Sequence, residues 1–96
     1  MSKLSIIICS YNRANYIGAA LDALYQQSSG LDCFEAIVVD NNSTDGTPEV
    51  FTSWRAQHPN GNFYYTTETN QGASFARNTG AKIAQFDWLC FQVIIA

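Results

Sequence analysis

The residues with the most chemistry lie in one stretch, Val38-Val39-Asp40-Asn41-Asn42-Ser43-Thr44-Asp45-Gly46-Thr47-Pro48. The apolar run Phe34 to Val39 that leads into it is too short for a helix and reads as a buried strand. Asp40 stands where that strand stops, and the small polar residues after it have the composition of a loop. Gly46 permits a turn, Thr47 suits a helix cap, and Pro48 suits the first helical position. A carboxylate is thus set at the carboxyl end of a strand, above a helix start. In open α/β sheets that edge is where ligands bind. Asx-rich turns also follow strands that bind nothing, so the loop alone leaves a purely structural role open.

The elements that must position this loop follow from the rest of the chain. Leu4 to Cys9 is a short run rich in β-branched residues, a buried strand. Ser10-Tyr11-Asn12-Arg13 leads out of it. Tyr16, Ile17, Ala20, Leu21, Leu24 and Tyr25 recur at helical spacing, which predicts an amphipathic helix over 14–28. Val50, Phe51 and Trp54 mark one face of a second helix, closed by Pro59-Asn60-Gly61. Asn62 to Thr67 is aromatic and β-branched, a third strand. Ala76, Gly80, Ile83 and Ala84 form the inner face of a third helix, with small residues that allow close packing on a sheet. Asp87 to Ile95 reads as a fourth strand. Strands alternating with helices imply an α/β fold with a parallel sheet.

In such a sheet the three strand-to-helix loops share one edge. They carry Ser10-Tyr11-Asn12-Arg13, Asp40 to Asp45, and Asn70-Gln71-Gly72. An aromatic ring, carboxylates, amides and an arginine together make a cradle suited to a base and a ribose. No G-x-G-x-x-G follows the first strand and no G-x-x-x-x-G-K-[ST] occurs, which argues against a dinucleotide enzyme or a P-loop NTPase. His58 reads as a helix-end residue favoured by the dipole rather than a catalyst, and Trp54 and Trp88 as core. Arg77 either lies exposed on the third helix or points toward an anionic ligand.

Composition narrows the classes further. The 96 residues fit one small domain, 47% hydrophobic and 14% charged. A net charge of −3 with scattered Lys3, Arg13, Arg55, Arg77 and Lys82 argues against nucleic acid as a partner. Cys9, Cys33 and Cys90 form no C-x-x-C pair and read as reduced thiols of a cytoplasmic protein. The sequence offers no signal peptide and no membrane-spanning run.

The loops resemble the nucleotide-binding half of glycosyltransferase family 2, which has the A-type glycosyltransferase fold. Leu4 to Arg13 is similar to that family's opening strand and its T/S-Y-N-R exit. Val38 to Thr47 resembles its V-V-D-D-G/N-S-T-D-G-T signature, and Asn70 to Gly80 its N-x-G-x-x-x-A-R-N-x-G helix. The motifs run in order and the resemblance extends to about Gln92. It implies a Rossmann-like, three-layer α/β/α fold with a four-stranded parallel sheet in the order third, second, first, fourth. Residues 1–96 would form one truncated nucleotide-sugar-binding domain. Ser10 and Tyr11 would border the nucleobase, and Asp40 would accept a hydrogen bond from an imide N–H, which suits uracil. Arg13, Asp45 and Gly72 would be further nucleotide contacts. The donor would be a UDP-type nucleotide sugar, its sugar passing to an acceptor hydroxyl.

The family's D-x-D motif holds Mg²⁺ or Mn²⁺ against the diphosphate. After Asp87 to Gln92, where that cluster belongs, the sequence reads Val93-Ile94-Ile95-Ala96. Asn41 also stands in place of a second aspartate, which weakens a metal role there. The expectation is a truncated or frameshifted piece without catalytic residues, bound metal or transfer activity of its own. Mg or Mn would belong to the full-length member. The alternatives are a non-catalytic nucleotide-binding module and an oligomerising piece without a ligand. The fourth strand, Trp88 to Ile95, has no Lys or Pro to discourage edge pairing. The chain is therefore expected to form a homo-oligomer through that strand. Size-exclusion chromatography with light scattering should give at least a dimer at tens of micromolar. A monodisperse monomer there would refute the expectation.

Overall fold

The computed structural model describes residues 4–26, 34–86 and 88–94. Along them run β1 (Leu4–Ser10), α1 (Ala14–Tyr25), β2 (Phe34–Asp40), α2 (Thr47–Gln57), β3 (Asn62–Thr67), α3 (Ala73–Ile83) and β4 (Trp88–Ile94). Neighbouring strands are all parallel, in the order β3-β2-β1-β4. The α/β class and the parallel sheet are as the sequence reading has them.

Both central strands are buried almost throughout, as strands covered on two faces must be. Their period of two sends alternate side chains to opposite layers. Ile6, Ile8, Ala36 and Val38, with Phe63, meet Ile17, Leu21 and Leu24 of α1 and Phe51 and Trp54 of α2. Ile7, Cys9, Ile37 and Val39 face the other way and meet Ala76 of α3. Burying each such isoleucine contributes about 1.5–3 kcal/mol, so the two strands that end at Ser10 and Asp40 are the best anchored. Trp54 also donates its indole N–H to Asp22 Oδ1 at 2.7 Å, which ties α2 to α1.

Helix ends depart from the sequence reading in two places. Helix α1 stops at Tyr25 rather than near residue 28, with the Gln26 N–H closing on Asp22 O at 3.1 Å. Helix α2 has Gly46 at its cap, so Thr47 is the first helical residue rather than the cap, and Pro48 follows it. The capping oxygen comes instead from Asp45, whose Oδ1 accepts the Thr47 N–H at 3.1 Å. At the other end His58 stacks on Trp54 with ring centroids 4.4 Å apart. Arg55 holds the turn after α2 by donating to the carbonyls of His58, Asn60 and Gly61. Cys33, Asp87, Ile95 and the side chains of Trp88 and Cys90 lie outside the described residues; Cys9 is a buried free thiol.

The close packing expected of the third helix is present at Gly80. A Cβ there would lie 2.3 Å from Ile7 Cγ2 and 3.2 Å from Val39 Cγ2. Both neighbours are β-branched and fully buried, so neither can turn away. Gly80→Ala should therefore push α3 off the sheet and cost about 1–3 kcal/mol. The urea midpoint measures it; an unchanged midpoint would mean that α3 is free to shift.

Candidate functional site

Register puts Ser10, Asp40 and Thr67 at one level. The loops 11–13, 41–46 and 68–72 leave the sheet there. The ladder first continues by one step: the Asn41 N–H donates to Ser10 O at 2.7 Å, and the Glu68 N–H donates to Asp40 O at 2.9 Å.

Side chains then join the loops. Asn41, 7% exposed, donates through Nδ2 to Glu68 O at 3.1 Å and to Asn70 O at 2.8 Å. Its Oδ1 accepts the Gly72 N–H at 2.8 Å, and its backbone carbonyl accepts from Gln71 Nε2 at 3.0 Å. Gly72 reaches this place at φ 133°, a region open in practice only to glycine. Asn12 does the same for the first loop. Its N–H donates to Ser43 Oγ at 2.8 Å, and its Oδ1 accepts the Thr44 N–H at 2.7 Å. Asn12 and Asn42 both lie at positive φ, which asparagine tolerates better than most residues. Asp45 bridges two helix starts, since its Oδ2 also accepts the Ala14 N–H at 3.1 Å.

Two carboxylates are thereby held as anions. Hydrogen bonds from the Thr47 hydroxyl above all, and from the Ala14 and Thr47 N–H groups, keep Asp45 below the ordinary aspartate range. The Thr79 hydroxyl, then the Asn70 N–H, do the same for Glu68. Groups with depressed folded pKa values stabilise the fold above their ordinary titration range, and that contribution fades as pH falls through the folded value.

Asp40 lies inside the edge. It is 1% exposed, its Oδ1 accepts the Ser43 N–H at 2.9 Å, and its Oδ2 accepts from the Tyr65 hydroxyl. Burial, then the hydrogen bond to Asp40 and its negative charge, push the Tyr65 phenol pKa up, so Tyr65 stays a donor. Asp40 therefore braces the edge and offers no accessible oxygen in this conformation.

The other expected site residues divide as follows. Tyr11 is 45% exposed on the edge. Ser10 Oγ and Arg13 Nε are buried side-chain polar atoms without a hydrogen-bond partner. Arg13 Nη1 donates to Asn12 O at 2.8 Å, which holds its guanidinium beside the first loop. Asp45 and Gly72 serve the joints between loops. The positive charge of Arg77 opposes the burial that raises the Cys9 thiol pKa. Sequence reasoning missed the joining roles of Asn41 and Asn12 and the Asp40 partner Tyr65. Tyr65 lies on the same face as Phe63, two residues earlier, and that spacing was the available signal.

Among the described residues no three His, Cys, Asp or Glu side chains group as metal ligands would. Asp40 and Asp45 already use both oxygens on protein donors. These residues do not by themselves fit a metal ion.

In open parallel α/β sheets ligands bind outside the carboxyl ends of the strands, where these three polar loops lie. Comparison with known proteins makes the class specific. The model of glycosyl transferase family 2 matches residues 5–92, and the chain belongs to that family. An uncharacterised glycosyltransferase of Haemophilus influenzae is 41% identical over 88 residues, covering 92% of this chain and 28% of the relative. The mannosyltransferase PcManGT from Pyrobaculum calidifontis, solved with GDP-Man and Mn²⁺, superposes with a TM-score of 0.85 at 34% identity, covering 91% of this chain and 26% of that one. S. aureus TarS 1-349 in complex with UDP gives 0.83 at 29% identity, covering 95% and 27%. The chain thus spans little more than a quarter of the length of these proteins.

Asn41 is the joint most sensitive to chemistry. Aspartate at this position can accept from Gly72 but cannot donate to Glu68 O or Asn70 O, and it sets a negative charge against both carbonyls. Asn41→Asp should lower stability by about 1–3 kcal/mol and speed amide hydrogen exchange at Gly72. Wild-type exchange at Gly72 in the variant would show the joint to be dispensable.

Proposed function

We propose that this chain is the nucleotide-binding part of a glycosyltransferase that moves a sugar from a UDP-type nucleotide sugar to an acceptor hydroxyl. The carrying observation is the pair of unpartnered buried atoms, Ser10 Oγ and Arg13 Nε, on either side of exposed Tyr11. Buried polar groups are nearly always hydrogen-bonded in a working protein. Family membership and the nucleotide complexes of PcManGT and TarS support the choice of ligand. The same reading makes the fold the four-stranded first half of an A-type glycosyltransferase domain.

In this reading Tyr11 offers its ring to the base and Ser10 its hydroxyl to a polar edge. Arg13 sets positive charge near the diphosphate. Asp40, Asp45 and Gly72 hold the loops in place behind them. Transfer breaks the bond between the sugar's anomeric carbon and the diphosphate oxygen, which leaves with the electron pair. A bond forms to the acceptor oxygen, whose proton goes to a base. No described residue is assigned as that base. A divalent metal, as in the PcManGT complex, would supply charge for the leaving diphosphate, with ligands from beyond the described set.

A second reading, self-association through β4 in a cytoplasmic protein, draws on Leu89, which is 39% exposed on the outermost strand in the order above. Calorimetry with UDP tests the first reading. The wild type should bind, Tyr11→Ala roughly tenfold more weakly, in line with the worth of base stacking. Ser10→Ala should bind more weakly, with an unfolding midpoint no lower than that of the wild type, because the variant no longer buries an unpaired hydroxyl. Absence of UDP binding by folded wild type at millimolar concentrations would sink the nucleotide reading.

A further inference from the structure

The amino ends of the strands hold a buried carboxylate that the nucleotide edge does not use. Glu35 pairs in register with Ser5 and Asn62, about 16 Å along β2 from Asp40 at some 3.3 Å per residue. It is 2% exposed. Its Oε2 accepts from Ser5 Oγ at 2.6 Å and from the Gln85 N–H at 2.6 Å. Ser5 Oγ in turn accepts the Phe86 N–H at 3.3 Å. Both bonds fall on Oε2. Oε1 has no partner, and it is not among the fully buried unpartnered atoms either. Glu35 lines an opening to the outside. That opening is a cavity of about 230 Å³ walled by Glu35, Ile37, Tyr64, Ile83 and Gln85.

The cavity exists because of how α3 lies. The helix packs mainly over β1, β2 and β4 and not over β3. Tyr64 is consequently 41% exposed and Ile83 46% exposed. The result is an aliphatic and aromatic shaft with an unsatisfied carboxylate oxygen at its base. A buried charge is costly unless paired. The group that complements all three features has an apolar stem, a planar face for the Tyr64 ring, and a cationic donor for Oε1. Those are the properties of an arginine side chain.

We propose that this cavity is a docking site for an arginine side chain of a polypeptide segment packed against the α3 face of the sheet, its guanidinium on Glu35 Oε1. The net charge of −3 favours a basic partner. In the Haemophilus relative this chain accounts for 28% of the length, so such a protein has ample further polypeptide to supply the segment. The proposal is independent of nucleotide binding, which uses the opposite edge.

The test is an NMR titration of the ¹⁵N-labelled chain with N-acetyl-arginine amide, and with the uncharged isostere N-acetyl-citrulline amide. The arginine compound should shift the amide signals of Glu35, Ile37, Tyr64 and Gln85 saturably, in the tens of millimolar expected of a single side chain. The citrulline compound should not. Glu35→Gln keeps an acceptor for Ser5 and Gln85 but removes the charge, and should weaken the arginine effect at least tenfold. Tyr64→Ala, on the exposed rim, should weaken it severalfold and keeps the test available if Glu35→Gln does not fold. Equal shifts from both compounds, no saturable shift, or an arginine response unchanged by whichever variants fold would each overturn the proposal.

Discussion

The carboxyl edge depends on one amide group. Asn41 sits where β2 ends and has a carbonyl on each side of its Nδ2 and an N–H in front of its Oδ1. Only a side chain with two donors and an acceptor satisfies that arrangement. The third loop takes its course from it, because the bonds from Asn41 reach Glu68, Asn70 and Gly72 in succession. Gly72 caps α3, so the position of that helix on the sheet is linked to the same group. Asn12 joins the first loop to the second with the same logic of one acceptor and one backbone donor. Among the described residues, three segments distant in sequence are thus fixed to one another by hydrogen bonds to asparagines and Asp45 rather than by ion pairs, whose strength would vary more with salt.

The sheet beneath supplies the rigidity this arrangement needs. β1 and β2 are covered on both faces, and their last residues carry the first and second loops. Gly80 allows α3 to approach Ile7 and Val39 more closely than any side chain would permit. The same helix is too narrow to cover β3 as well, and its placement leaves Tyr64 and the opening over Glu35 uncovered. Close packing near β1 and the exposure of Tyr64 on β3 are therefore two results of one helix position.

Most of the architecture was legible because it is periodic. Short β-branched runs alternating with helical stripes leave few alternatives to a parallel α/β sheet, and the strand-to-helix loops of such a sheet must share an edge. What escaped the sequence depends on partners far along the chain. Asn41 was read as a loss, an aspartate missing from a metal-binding pair, because its partners lie 27 to 31 residues away. Glu35 was absorbed into an apolar run, since nothing local announces that Ser5 and Gln85 converge on it from 30 and 50 residues away. The Thr47 cap was misplaced by one residue because Asp45 is the stronger acceptor and serves two helix starts at once.

Accounting for the polar groups at the edge also separates support from recognition. Asp40, Asn41, Asn12, Ser43 and Asp45 each have partners within the protein, and the bonds they make are those that shape the loops. Ser10 Oγ and Arg13 Nε have none, although both are buried, and Tyr11 between them is turned outward. A fold gains nothing from burying a donor or acceptor unpaired and loses about 1–3 kcal/mol each time. Under the nucleotide reading proposed above, groups left in that state would take their partner from the ligand. The unpartnered atoms lie on the first loop, residues 10–13, while the polar side chains of the loop after β2 are bonded within the protein.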